Sequence, residues 1–143
     1  MKPIEITSKN FESTIQQSSL VVLDFWAASC PPCRVFGPIF EAAAERHGDV
    51  TFGKVNTEVQ SELASSFAVR AIPTVMAFKG GVLVFSQPGL LPKSALDKLI
   101  DRLRALDTEA LGKQSPGGQP NSKANREGDG SSYSGARRAV SDR

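Results

Sequence analysis

Apolar positions along this chain come in short runs and stripes. Leu20-Val21-Val22-Leu23-Asp24-Phe25-Trp26 is a nearly unbroken β-branched and aromatic run with one acid inside it, the pattern of a strand buried on both faces. Residues 50–55 read the same way. Between the two, Val35, Phe36, Ile39, Phe40 and Ala43 recur at helical spacing, which predicts a helix from about 32 to 47 that Gly48 stops. Pro38 sits within it, and because its ring removes a backbone donor a kink is expected there. Strand, helix and strand over 20–55 make a right-handed crossover with parallel strands.

The flanking segments extend this pattern. Residues 2–6 suit a short edge strand, with Pro3 tolerated near its start. Thr7 or Ser8 can cap a helix to about Gln17, with Phe11 and Ile15 on one face. A short helix over 59–67 carries Leu63, Ala64 and Phe67. Val75-Met76-Ala77-Phe78 and Val82-Leu83-Val84-Phe85 flank Lys79-Gly80-Gly81, a hairpin whose glycines are free to take positive φ. A last helix starts near Pro92 or Lys93 and sets Leu96, Leu99, Ile100, Leu103 and Leu106 on one stripe. The order βα-βαβ-α-ββα predicts an α/β fold: a central mixed sheet with helices on both faces.

Composition divides the chain. Of 57 apolar residues, 52 fall in 1–111 and 5 in 112–143. Residues 1–111 hold 11 Lys+Arg against 12 Asp+Glu, and 112–143 hold 6 against 3, so the net charge of +2 comes from the last segment. That segment, rich in Gly, Ser and Pro, has too little apolar area to offset the entropy of ordering. The expected organisation is a domain over 1–111 and a disordered basic tail over 112–143, whose Arg137-Arg138 pair reads as solvated charge. The globular part lacks the basic surplus of a nucleic-acid-binding domain. No secretory signal pattern and no run of about 20 apolar residues is visible, so a soluble cytoplasmic protein is expected, without membrane association.

Cys30 and Cys33 are the only cysteines and His47 the only histidine, which argues against a structural zinc site and a disulfide-stapled scaffold. The two cysteines lie where a strand ends and a helix begins. First-turn amides and the helix dipole favour a thiolate on Cys30. A spacing of three lets Cys33 reach it, which makes Cys30 the nucleophile and Cys33 the more buried resolving thiol. Two other readings stand beside this one: an inert bridge, which in so short a loop would constrain the unfolded chain little, and half of a metal site shared between chains. A Cys–His protease is disfavoured, because Cys30 and His47 would sit at opposite ends of one helix, roughly 25 Å apart.

Asp24-Phe25-Trp26-Ala27, Cys30-Pro31-Pro32-Cys33, Pro38, Lys54-Val55-Asn56, Val69-Arg70-Ala71-Ile72-Pro73-Thr74, Phe78-Lys79-Gly80-Gly81 and Gly89 occur in this order. On these residues the chain resembles the thioredoxin family over about 3–106, and is similar in particular to its actinobacterial members. The resemblance implies the thioredoxin fold. Thioredoxin is itself the type case of a Cys-X-X-Cys context that lowers a thiol pKa, so that property belongs to the resemblance.

The resemblance also implies roles. Asp24, an acid inside an apolar strand, would have a raised pKa and accept a proton from Cys33; an ordinary strand-end carboxylate is the plainer reading. Lys54 would pair with Asp24, or else extend to the surface. Pro73 would be a cis-proline facing the disulfide, leaving the preceding backbone free to pair with an extended substrate; by itself it marks only a turn. Trp26 would pack beside the cysteines or simply fill core, and Gly89 with Ile72 and Pro73 would form the apolar substrate surface beside Pro31 and Pro32. No metal or bound cofactor is expected.

The activity implied is a protein-disulfide reductase cycling between the Cys30/Cys33 dithiol and disulfide, as a monomer. Its partners would be disulfide-containing substrate proteins and an NADPH-dependent thioredoxin reductase. Two departures bear on this. Ser29 stands where most members have tryptophan, and Pro31 replaces the usual glycine, which leaves the reduction potential open. Ile72 before Pro73 favours a reductase over an oxidase or isomerase. The alternative from another class is a binding, chaperone or redox-sensing module without general turnover.

Overall fold

The computed structural model describes residues 2–106; the segment 112–143 read above as a tail lies outside them. The elements are β1 (Ile4–Glu5), α1 (Phe11–Gln17), β2 (Leu20–Trp26), α2 (Pro31–Arg46), β3 (Thr51–Asn56), α3 (Ser61–Ser66), β4 (Thr74–Lys79), β5 (Val82–Pro88) and α4 (Lys93–Ala105). They build one sheet of order β1-β3-β2-β4-β5. β2 runs parallel to β3 and antiparallel to β4, so the longest apolar run of the sequence becomes the central strand.

Alternation along β2 divides the core. Leu20 and Val22 face α2 and α4, where they join Phe36, Phe40, Phe52, Leu96, Ile100 and Leu103. Val21, Leu23 and Phe25 face the other side, with Ile6, Ile15, Val55, Ala64 and Met76. Burying both faces requires apolar residues at consecutive positions, and Asp24 is the exception, fully buried on the α2 side. The β4–β5 hairpin turns through Gly80 and Gly81 at φ of 60° and 82°, where glycine avoids the Cβ penalty.

Three local expectations change. The N-cap of the first helix is Asn10, not Thr7 or Ser8: the Thr7 carbonyl accepts from the amides of Asn10 and Phe11, while Asn10 Oδ1 turns back to the Thr7 amide. Helix α3 is shorter than 59–67 at both ends: before it, the Asn56 carbonyl accepts from the amides of Val59 and Gln60 in a turn, and after it the chain folds into a left-handed turn at Ala68, φ 56°. Leu106 lies outside the buried stripe of α4, being the exposed residue that follows the last helical turn. There the Lys79 ammonium donates to the carbonyls of Leu103, Arg104 and Leu106, satisfying helix-end acceptors.

Candidate active site

β2 ends at Trp26, and the chain turns through Ala27, Ala28 and Ser29 into α2. Cys30 is the N-cap residue, with extended backbone at φ −100° and ψ 108°. Pro31 and Pro32 occupy the first helical positions, where a fixed φ suits the helix and the missing N–H breaks no ladder bond. Neither can therefore donate to the Cys30 sulfur. The Cys33 amide does so, at 3.2 Å from Cys30 Sγ. The two cysteines are joined as a disulfide, their Cα atoms 5.2 Å apart. The amide that caps this sulfur in the bridge is equally placed to stabilise a thiolate once the bridge opens.

Cys30 is 7% exposed and Cys33 5%, so the expected contrast in burial is slight. Their surroundings differ more. Cys30 Sγ lies 3.6 Å from the Ile72 carbonyl oxygen, on the loop whose Ile72–Pro73 bond is cis. The Pro73 carbonyl accepts from the Gly89 amide at 2.7 Å, and Gly89 takes φ 94°, a conformation that favours glycine. Trp26 and Ile72 pack against Ala27, Cys30 and Cys33. Residues as far apart in sequence as Trp26, Ile72, Pro73 and Gly89 thus meet at the carboxyl end of the parallel strands, the usual ligand end of an α/β sheet.

Asp24 and Lys54 lie on the same sheet face, deeper in. They are register partners on β2 and β3. Asp24 is fully buried and neither carboxylate oxygen has a hydrogen-bond partner. Loss of hydration pushes its pKa up to about 7, with the Lys54 ammonium opposing part of that rise. The pairing expected between them is not a direct ion pair: the Lys54 ammonium sits over the Trp26 ring, 5.0 Å from its centroid, and acts on Asp24 through its field. The aromatic face offers the cation a partial substitute for water.

Two contacts at the site went unforeseen. Ser29 Oγ donates to Glu58 Oε2 at 3.1 Å, and the Arg34 guanidinium donates to the Ala28 carbonyl at 3.1 and 3.3 Å. Together they tie the turn before Cys30 from two sides. Nothing in the sequence marks Glu58, which reads as an ordinary loop acid until folding brings it 29 positions back to Ser29. At the far end of α2, His47 bridges Asp97 and Arg104 at 2.8 Å each. A guanidinium only donates, so Nδ1 accepts from Arg104 and Nε2 donates to Asp97. This histidine joins α2 to α4, remote from the cysteines. Among the described residues, no cluster of three or more His, Cys, Asp or Glu side chains could hold a metal, and no helix is long and apolar enough to cross a membrane.

The sequence profile of the thioredoxin family matches residues 2–102. A Streptomyces coelicolor protein carrying the name thioredoxin 2 is 46% identical over 110 residues, covering 77% of this chain and 82% of that one. A thioredoxin of Alicyclobacillus acidocaldarius is 43% identical, covering 64% of this chain and 89% of its own length. Among solved structures, a mutant thioredoxin from Halobacterium salinarum superposes with a TM-score of 0.70 at 29% identity, over 74% of this chain and 94% of that one.

Proposed function

The chain belongs to the thioredoxin family and is a thiol–disulfide oxidoreductase, and on that premise we propose that it runs as a protein-disulfide reductase with Cys30 as nucleophile and Cys33 as resolving thiol. The carrying observation is the placement of Cys30 at the helix N-cap, its sulfur held by the Cys33 amide and facing the Ile72 carbonyl. The Cys30 thiolate attacks one sulfur of a substrate disulfide. A mixed disulfide forms and the other substrate sulfur leaves as a thiolate. Cys33 then gives its proton to Asp24 and attacks Cys30 Sγ, which expels the second substrate thiolate and leaves the Cys30–Cys33 bridge. Two electrons pass from the dithiol to the substrate.

In this reading Asp24 is the proton acceptor, suited by a pKa of about 7, and Lys54 keeps its charged form accessible. An extended substrate strand docks on Trp26, Pro31, Pro32, Ile72, Pro73 and Gly89, using the backbone before the cis-proline. An NADPH-dependent thioredoxin reductase restores the dithiol, which sets the cycle in a reducing compartment, the cytoplasm. We read the protein as a monomer, since every group the cycle uses comes from one chain. Residues 1–111 form the working unit, and deleting 112–143 leaves turnover unchanged.

Insulin reduction coupled to such a reductase tests the proposal: Cys30→Ser abolishes turnover, and Cys33→Ser accumulates mixed disulfides with many proteins. Turnover retained in Cys30→Ser overturns it. A single partner held whatever the thiol state points instead to a binding or redox-sensing module.

A further inference from the structure

Residues 71–73 pass beside the disulfide just before β4, and the backbone polar groups there can be followed one by one. The Pro73 carbonyl accepts from the Gly89 amide, and Pro73 has no N–H to offer. The Ile72 carbonyl faces Cys30 Sγ. The Ala71 carbonyl accepts from the Thr74 hydroxyl. The Ile72 amide, by contrast, donates to no backbone carbonyl among the described residues. Thr74 itself is held firmly: it is the first residue of β4, 5% exposed, with Phe25 and Pro88 as register partners on its two sides.

We propose that the Thr74 hydroxyl is a positioning group for the substrate: by holding the Ala71 carbonyl it aims the Ile72 amide at a docked strand. The reason is the planarity of one peptide unit. Across the trans bond between Ala71 and Ile72, C=O and N–H point in opposite directions. A carbonyl turned back to Thr74 therefore turns the Ile72 N–H away from that strand. Ile72 then offers both a donor and an acceptor, the two groups that a paired residue exchanges with its partner in an antiparallel ladder. Without the hydroxyl, the Ala71 carbonyl loses its partner and the unit is free to rotate toward water, which leaves only the Ile72 carbonyl aimed. The inference rests on the reading that an extended substrate docks before Pro73, and extends it to a buried side chain outside the residues assigned to docking.

Thr74→Val keeps the shape and removes the hydroxyl, whereas Thr74→Ser keeps the hydroxyl. In reductase-coupled turnover of the full-length protein, Thr74→Val raises the KM for insulin about threefold to tenfold, the scale of one net hydrogen bond, with kcat unchanged. Thr74→Ser restores the parent KM. Dithiodipyridine, a disulfide with no peptide backbone, is reduced equally fast by all three proteins. Thr74→Ala repeats the valine result if valine is poorly accommodated. An unchanged KM without the hydroxyl, no rescue by serine, or an equal loss with dithiodipyridine overturns the proposal. Amide exchange by NMR, on a peptide trapped as a mixed disulfide on Cys30 in the Cys33→Ser background, separates the two readings. Docking before Pro73 fails if the Ile72 amide gains no protection in that complex. Protection that persists undiminished when Thr74→Val is added leaves docking standing and overturns the role of Thr74.

Discussion

Replacing Asp24 by asparagine in the oxidised protein isolates what a buried, unpartnered carboxylate does to stability. The folded chain holds the Asp24 proton up to a pKa of about 7, against 3.8 for the unperturbed group. A folded-state pKa above the unfolded one means that the native state binds more protons between those values, so stability falls as pH rises through the interval. At about 1.4 kcal/mol per pH unit, the loss from pH 4 to pH 8.5 comes to about 4 kcal/mol. Asparagine does not titrate, and whatever its buried amide costs is the same at both pH values. Asp49, whose pKa the Arg104 hydrogen bond lowers to about 2, and Asp97, held well below the usual carboxylate range by His47 first, carry the opposite sign. Their stabilisation is lost only as pH falls toward their folded values, and it is common to both proteins. Urea unfolding followed by far-UV circular dichroism at pH 4 and pH 8.5 gives the stability difference between variant and parent. That difference should move by about 4 kcal/mol in favour of the variant at the higher pH. A movement under about 1 kcal/mol would refute the assignment of a desolvated, near-neutral carboxyl.

Two further substitutions test the fold around the site. Gly53→Ala places a Cβ 2.5 Å from Ile6 Cγ1 and 2.8 Å from Leu23 Cδ2; overpacking of this kind destabilises by about 1–3 kcal/mol, readable as a lower urea midpoint at unchanged slope. Ala68→Gly should do the reverse: the amides of Ala68 and Val69 bond back to Ser65 and Ala64, a helix-ending turn that favours glycine at the left-handed position. Relief of the strain at φ 56° should raise stability by about 0.5–1 kcal/mol, and a fall in melting temperature would contradict it.

Much of this protein was legible in the chain itself. Residues 20–26 appear as β2 with the bounds the apolar run predicts, because a strand covered on both faces leaves no room for polar alternation. The glycines between β4 and β5, the N-cap position of Cys30 and the buried stripe Leu96, Leu99, Ile100 and Leu103 are local consequences of residue type and spacing. Helix starts and ends were less legible. The first turn of α1 was settled by an Asn10 side chain that bonds backward to Thr7, and the end of α3 by an alanine in the left-handed region.

The tertiary structure decided what no spacing contains. Lys54 answers Asp24 from over the Trp26 ring and not by contact, and Glu58 reaches back to Ser29. The Pro73 carbonyl meets the Gly89 amide. Each depends on pairs far apart in sequence, set by sheet register and by the seat of α2 on the sheet. A hydrophobic pattern specifies which residues are buried, because burial is a property of one side chain and water. It does not specify which neighbours they meet, because the distance between two charges, or between a sulfur and a carbonyl, exists only once the sheet has closed its register.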